Sequence, residues 1–352
     1  MSAAGSRRLP AEWEPQAGVQ LTWPHDGTDW APLLDQVHPV FATLAAAISR
    51  FEPVVIVARD PEHIEEISGF LVDAAIRNDR LWFALADSDD TWARDHGPIT
   101  VLEGSQPHLL DFTFNGWGGK YSAARDNAIT AALAQQGVYG LNLPKPIGMV
   151  LEGGSIESDG AGTILTTTQC LLHPTRNRDL GKAEIERCLH EQLGAQRFLW
   201  LEHGHLEGDD TDSHIDTLAR FCSADTIAYV QCDDPADPHH AELAAMEKEL
   251  QTLRQASGEP YRLIPLPWPR PQHDPDGHRL PATYANFLIL NDAVLMPAYD
   301  DPADAIALDR LAAAFPGREI VEIDCRTIIR QGGSLHCLTM QYPRGALGIP
   351  ED

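Results

Sequence analysis

The chain has 352 residues, with 26 Lys+Arg against 52 Asp+Glu, a formal net charge of −26, and 43% hydrophobic residues. That charge excludes a binder of nucleic-acid phosphates, which needs a basic footprint, and favours a cationic small-molecule partner over an anionic one. The hydrophobic content is ample for a globular core.

In chain order, the opening MSAAGSRRLPAEWEP carries two arginines with no apolar run behind them, so a secretory leader is not expected. The first strand is GVQLTW from Gly18. Then come units in which an apolar strand and a polar turn, often Asp-Pro, lead into an amphipathic helix and a second strand. The first is VVIVARDPEHIEEISGFL from Val54, closed by LWFALA from Leu81. A more degenerate copy runs from LLDFTF at Leu109 through a helix around Asn127–Gln136 to YGLNL at Tyr139. The next begins at Thr163 and ends in FLWLEH at Phe198; another begins at Thr226 and ends in YRLIPL at Tyr261. The last begins at Ala293 and ends in EIVEID at Glu319. Proline after Asp suits the first helical turn, where its missing N–H costs nothing. Helical spacing predicts buried faces at Ile64, Ile67 and Leu71, and at Ala305, Leu308, Leu311 and Ala312.

Four stretches, ITVLEGSQPHLLDF, SIESDGAGTILTT, DTLARFCSADTIAYV and ANFLILNDAVLMPA, read as hairpins that link these units. The final strand, LHCLTMQY from Leu335, has no successor, so it is expected to pair with the first and close a ring. Five units of roughly 45–65 residues predict one closed α/β domain over residues 1–352. No stretch approaches 18 apolar residues, so no membrane span is expected. Six scattered cysteines (Cys170, Cys188, Cys222, Cys232, Cys325, Cys337) without a CxxC pair point to a reduced, cytoplasmic protein.

Equivalent units should present their hairpin-entry residues to a common axis. Those residues are Asp95, Glu152, His214 with Asp216, Asn286 and Cys337. Singly, each has a structural reading: a turn cap, a solvated acid, a core histidine, a small buried thiol. Together they specify chemistry. A cysteine attacks as thiolate and a histidine relays protons near neutral pH. Carboxylates around that pair discourage the thiolate, unless the substrate is itself a cation that they hold. A guanidinium pairs two-pronged with carboxylates and leaves its carbon open to sulfur. The inferred chemistry is nucleophilic substitution at a guanidinium carbon.

These residues lie in motifs that resemble the agmatine deiminases, within the guanidine-modifying (pentein) superfamily that also holds the arginine and peptidylarginine deiminases. The resemblance runs through PAEWEPQAGVQLTWP at Pro10, DDTWARDHGP at Asp89, FNGWGGK at Phe114, LEGGSIESDG at Leu151, TTTQCLLHPTRNR at Thr166, GDDTDSHID at Gly208, YANFLILNDAVLMPAYDDP at Tyr284 and GGSLHCLTMQ at Gly332. It implies a five-bladed α/β propeller with Cys337 as nucleophile, His214 as general acid/base and Glu152 as its partner. It implies Asp95 and Asp216 as guanidinium carboxylates, Trp92 beside the substrate, and Asp210 near the substrate's free amine. No metal or organic cofactor is implied. The implied reaction turns agmatine into N-carbamoylputrescine and ammonia, in putrescine synthesis or in use of agmatine as a nitrogen source. That family often forms homodimers or larger assemblies, so a homo-oligomer stays open.

Departures stand beside the match. The family's GGGNIHC is Gln331-Gly332-Gly333-Ser334-Leu335-His336-Cys337 here, and its Thr-Gly-Pro is His96-Gly97-Pro98. Its Gly-His-Val-Asp is Ser213-His214-Ile215-Asp216, and its Asn-Ala-Trp is Asn115-Gly116-Trp117. A different guanidine such as arginine or peptidyl-arginine is the alternative substrate, with Arg94, Arg176 or Arg178 to meet a carboxylate. More distant readings are a metal-dependent hydrolase on His203, His205 and His214 with Asp209, Asp210 and Asp212, or a non-catalytic guanidine binder.

Overall fold

The computed structural model describes residues 7–349 except 73 and 75; the leader expectation for residues 1–6 lies outside them. The chain forms a mixed α/β fold in which five sheets repeat one strand order. In each, a first strand pairs antiparallel with a second, a helix follows, and a third strand returns parallel to the second. One sheet has Ile99–Glu103, Gln106–Thr113 and Lys145–Val150, with the helix Asp126–Gln135. The next has Ile156–Ser158, Thr163–Thr167 and Arg197–Leu201, with the helix Lys182–Leu193. Ala219–Ser223, Thr226–Val230 and Arg262–Leu266 follow, with His240–Thr252. Then come Leu288–Ile289, Ala293–Ala298 and Glu319–Asp324, with Ala303–Ala314.

The fifth sheet joins the two ends of the chain. Thr339–Pro343 pairs antiparallel with Gln16–Thr22, with Thr339 opposite Leu21 and Tyr342 opposite Gly18. All four expected hairpins and this terminal pairing are present. Gln16–Thr22 runs parallel to Val54–Ala58 through the helix Leu34–Ser49, and Val54–Ala58 runs parallel to Leu81–Leu85 through Pro61–Val72.

Three sequence expectations need correction. The helix that completes the repeat in this sheet is Leu34–Ser49, which the sequence reading missed; the unit from Val54 to Leu85 is an outer addition. Pro39 lies inside that helix and interrupts its helical reading, since proline removes a backbone donor. Packing overrides the interruption. Val37, Phe41, Leu44, Ala45 and Ile48 are fully buried against the helix Pro61–Val72 and the strands Val54–Ala58 and Glu319–Asp324. Together with its leading turn, the stretch Ala31–Ser49 is the one described helical stretch long and apolar enough to cross a membrane by length and composition, and its apolar residues face this core.

Second, YGLNL is not a strand. Tyr139 is buried, but Leu141 is 98% exposed in a turn, and the returning strand is Lys145–Val150. Third, the last helix buries Ala303, Ala307, Leu311 and Ala314, while Ala305 and Ala312 are exposed. With alanine on every face, its sequence pattern barely distinguishes the two stripes.

Local signals hold elsewhere. Asp60 Oδ1 accepts the His63 N–H at 2.8 Å and starts the helix at Pro61. Gly194 ends Lys182–Leu193 at φ 74°, where a Cβ would stand 1.9 Å from the Arg7 carbonyl oxygen. Every residue of Val54–Ala58 is buried, as a parallel strand covered on both faces requires.

Phe41→Ala should lower the free energy of unfolding by about 3–5 kcal/mol, read from urea midpoints. A loss below about 1 kcal/mol would mean this helix is not part of the core.

Candidate active site

Each of the four hairpins, and the strand Thr339–Pro343 of the terminal pairing, starts shortly after one or two of the expected polar residues. Asp95 lies in the short helix Ala93–His96 before Ile99; Glu152 precedes the turn Gly153–Ser155 before Ile156. His214 and Asp216 lead into Ala219, Asn286 into Leu288, and Cys337 into Thr339. The fold brings these residues together at one buried place.

Cys337 is 3% exposed. Its Sγ lies 3.2 Å from the Asn286 Nδ2 donor and 3.5 Å from Asp216 Oδ2. Burial, with the carboxylates of Asp216 and Asp95, holds the thiol well above its ordinary range. Asp95 Oδ1 accepts the Gly154 N–H at 3.1 Å, and its Oδ2 accepts Trp117 Nε1 at 3.0 Å. Burial pushes this carboxyl up to about 6, opposed by His214 and reinforced by Asp216 and Glu152. Burial also disfavours the charged Asp216, but the hydrogen bond and charge of His336 outweigh it, so Asp216 stays below the usual carboxylate range.

His214 is fully buried, with Nδ1 3.7 Å from Asp95 Oδ1. Burial opposes its charge, yet Asp95 and the other acidic neighbours hold it well above its ordinary value. Glu152 Oε1 accepts Arg176 Nε at 2.8 Å. Polar atoms of Glu152, His214 and Cys170 lie within 4.8 Å of one another, without a hydrogen bond from Glu152 to the histidine.

Four buried atoms here have no hydrogen-bond partner: Asp216 Oδ1, Glu152 Oε2 and both ring nitrogens of His214. Buried polar atoms are normally satisfied, so orphans gathered at one spot mark a place for a ligand rich in hydrogen-bond donors. The packing is close. A Cβ on Gly154 would stand 2.7 Å from His214 Nδ1, 2.9 Å from Asp95 Oδ1 and 3.0 Å from Asp216 Oδ2.

A cavity of about 290 Å³ opens onto Cys337 and Asp95. Trp92 and Trp117 form aromatic walls, and Asp29, Asp90 and Asp210 add three more carboxylates. Trp92 donates from Nε1 to Asp90 Oδ2 at 3.1 Å, and its ring fills the space where a Cβ on Gly333 would sit, 2.2 Å from Cζ3. Gly332, at φ 85°, is the left-handed turn of the loop before Cys337; Gly333 is required for room. Asp210 Oδ2 accepts the Tyr121 hydroxyl at 2.6 Å.

Of the seven expected site residues, Cys337, Asp95, Trp92 and Asp210 line this cavity, while His214, Glu152 and Asp216 are fully buried beside them. Sequence reasoning missed Asp29, Asp90 and Tyr121. Asp90 stood in the quoted DDTWARDHGP, and its place beside Trp92 was the available signal. Burial, Asp126 and Asp29 push its carboxyl up to about 8. The expected carboxylate-meeting arginines lie elsewhere. Arg94 bonds the His336 carbonyl, Glu12 and Gln341; Arg176 bonds Glu152, Asp212 and the Thr211 carbonyl; Arg178 is exposed. Among the described lining residues Arg330 is the one cation. His203 pairs with Glu242 and Glu249, and among the described residues no group close enough to hold a metal includes His203 or His205.

Residues 8–343 match the Porphyromonas-type peptidyl-arginine deiminase family. An agmatine deiminase of Stutzerimonas stutzeri is 34% identical over 95% of each chain. The structure of a candidate arginine deiminase from Porphyromonas gingivalis superposes with TM-score 0.90 at 48% identity, covering 97% of this chain and 99% of that one. A C. jejuni agmatine deiminase, a cysteine-to-serine variant with substrate bound, superposes with TM-score 0.89 at 36% identity, covering 96% and 97%.

With no cation bound, iodoacetamide should alkylate Cys337 along a pH profile whose midpoint lies above that of an ordinary thiol. Asp216→Asn removes a negative neighbour and should shift the midpoint down, as followed by mass spectrometry of the Cys337 peptide. An unshifted midpoint would show that Asp216 does not set the state of the sulfur.

Proposed function

The chain belongs to the Porphyromonas-type peptidyl-arginine deiminase family, and we propose that it is an agmatine deiminase, hydrolysing agmatine to N-carbamoylputrescine and ammonia. One observation carries the reading: a buried thiol flanked by two carboxylates, with unpartnered polar atoms around it, at the end of a cavity lined by further carboxylates. A guanidinium has five N–H donors for Asp95, Asp216 and Glu152. Asp29, Asp90 and Asp210 suit a second cation on the same molecule. In this reading the five sheets are blades of an α/β propeller, with their hairpin-entry residues gathered on its axis.

The chemistry follows from the charges. A guanidinium held between Asp95 and Asp216 offsets the negative field that keeps the proton on Cys337, so the thiol proton passes to solvent as substrate binds, where it is taken up by the ammonia later released. The thiolate adds to the guanidinium carbon. His214, held cationic by its acidic neighbours, gives a proton to the departing nitrogen; the C–N bond breaks and ammonia leaves a cationic S-alkylthiouronium. The now neutral His214 takes a proton from water, whose hydroxyl adds to the same carbon. The C–S bond then breaks, the hydroxyl proton goes with the sulfur, and the ureido product leaves the thiol and the charged histidine restored. Arg176, through Glu152, keeps a carboxylate beside the histidine in both halves.

Arginine or peptidyl-arginine is the second reading, favoured by Arg330 on the cavity wall. Ammonia and ureido product should appear with agmatine in preference to arginine, and Cys337→Ala should abolish both. Turnover by the alanine variant would refute the thiolate mechanism, and preference for arginine would replace the substrate. Gly154→Ala should lower kcat/KM by roughly 100-fold through displacement of three reacting groups. Its Tm should also fall, since the added methyl overpacks a buried site even though the backbone of Gly154 is not left-handed.

A further inference from the structure

Two quoted motifs find no role in this mechanism: PAEWEP near the N-terminus and the histidine just before the nucleophile. They meet behind the carboxylate Asp216. His336 is fully buried, with Nδ1 2.7 Å from Asp216 Oδ2 and Nε2 2.8 Å from Glu12 Oε1. An imidazole between two carboxylates satisfies both contacts only if the three groups hold two protons, because an ionised carboxylate accepts and cannot donate.

Fixed cations keep this arrangement in place. Arg220 bonds Glu12 Oε2 at 2.6 Å, Glu157, and the carbonyls of Ala285 and Phe287; Arg94 bonds Glu12 Oε1 at 3.2 Å. The backbone of residue 336 is held separately, by Asn286 Oδ1 at its N–H and Arg94 Nε at its carbonyl. The ring is therefore aimed at Asp216 by a frame that does not depend on the ring itself.

We propose that His336, backed by Glu12, is a positioning residue: its Nδ1–H holds Asp216 Oδ2, so that the unpartnered Asp216 Oδ1 faces the guanidinium. The inference rests on the deiminase reading and adds to it the device that orients one of the two substrate carboxylates. An untethered Asp216 could rotate, fill its own orphan oxygen from another donor, and lose its grip on the cation. A misplacement of about 1 Å at a reacting group can cost roughly 100-fold in rate.

Two substitutions separate this role from a merely structural one. The amide nitrogen of His336→Asn can stand where Nδ1 stands, keeping the bond to Asp216 and losing Glu12. That of His336→Gln reaches the place of Nε2, keeping Glu12 and losing Asp216. With agmatine, H336N should stay within about tenfold of wild-type kcat/KM and H336Q should fall about 100-fold. Agmatine affinity, titrated in a Cys337→Ala background, should follow the same order. The reverse order, or equal losses, would overturn the proposal, as would failure of both variants to fold, since that assigns the ring to the frame. A wild-type protein that leaves agmatine unchanged but turns over arginine would fail the substrate reading alone, and the variant order would then be read on arginine.

Discussion

A thiol proton and two carboxylates occupy one buried point, and the rest of the structure is arranged around that conflict. Cys337 Sγ lies 3.5 Å from Asp216 Oδ2, with Asp95 close by. At an effective dielectric of about 20, a thiolate and a carboxylate roughly 4 Å apart repel by on the order of 4 kcal/mol. Without a cation the sulfur keeps its proton. With one, the same carboxylates become the binding site and the repulsion disappears. On the proposed reading, binding and activation are then one event, and ligands without positive charge leave the sulfur protonated.

Holding like charges together requires a stiff frame, and the five-fold strand order supplies it. Each sheet carries one or two of the gathered polar residues just before its first strand, so their positions are fixed by the strand pairing behind them. Close approach then depends on missing side chains. Gly154 lets His214, Asp95 and Asp216 converge, and Gly333 lets Trp92 lie against the nucleophile loop. Behind the site, charge is compensated in depth: Arg220 and Arg94 face Glu12 and Glu157, so the acidic front layer rests on a cationic second layer. A buried pair broken by removal of one partner typically costs about 3–5 kcal/mol, which makes this layer a specification of geometry as well as a source of stability.

The reacting groups were legible in the sequence because each stands at the same point of a repeated pattern. Their residue types also make chemical sense only together. The repeats themselves were legible where alternation and Asp-Pro turns were strong, as in Thr226–Val230 and Ala293–Ala298. They failed where tertiary packing overrode local signals. The helix Leu34–Ser49 carries Pro39 in its interior. The strand Lys145–Val150 contains proline and glycine with mostly exposed side chains, tolerable at the edge of a sheet. The supporting layer was illegible for another reason. Glu12 and His336 are 324 residues apart, and no local pattern announces that a glutamate in the opening segment will meet the residue beside the nucleophile.

The net charge of −26 bears on this site less than its size suggests. Surface carboxylates act on an approaching cation only within a Debye length, about 8 Å at physiological ionic strength, so most of them influence encounter and not the bound state. Of the cavity carboxylates, Asp95 is buried and Asp90 and Asp210 are half-buried, so they are screened less than Asp29, which is exposed. Burial also keeps the proton on Asp90, whose carboxyl is pushed up to about 8, while the cavity is empty. A ligand with a second cation favours loss of that proton and gains an ion pair. A ligand ending in a carboxylate meets a wall of acids with Arg330 as its one described cationic contact. On the proposed reading, discrimination at the far end of the cavity is therefore set by a few placed charges and not by the bulk acidity.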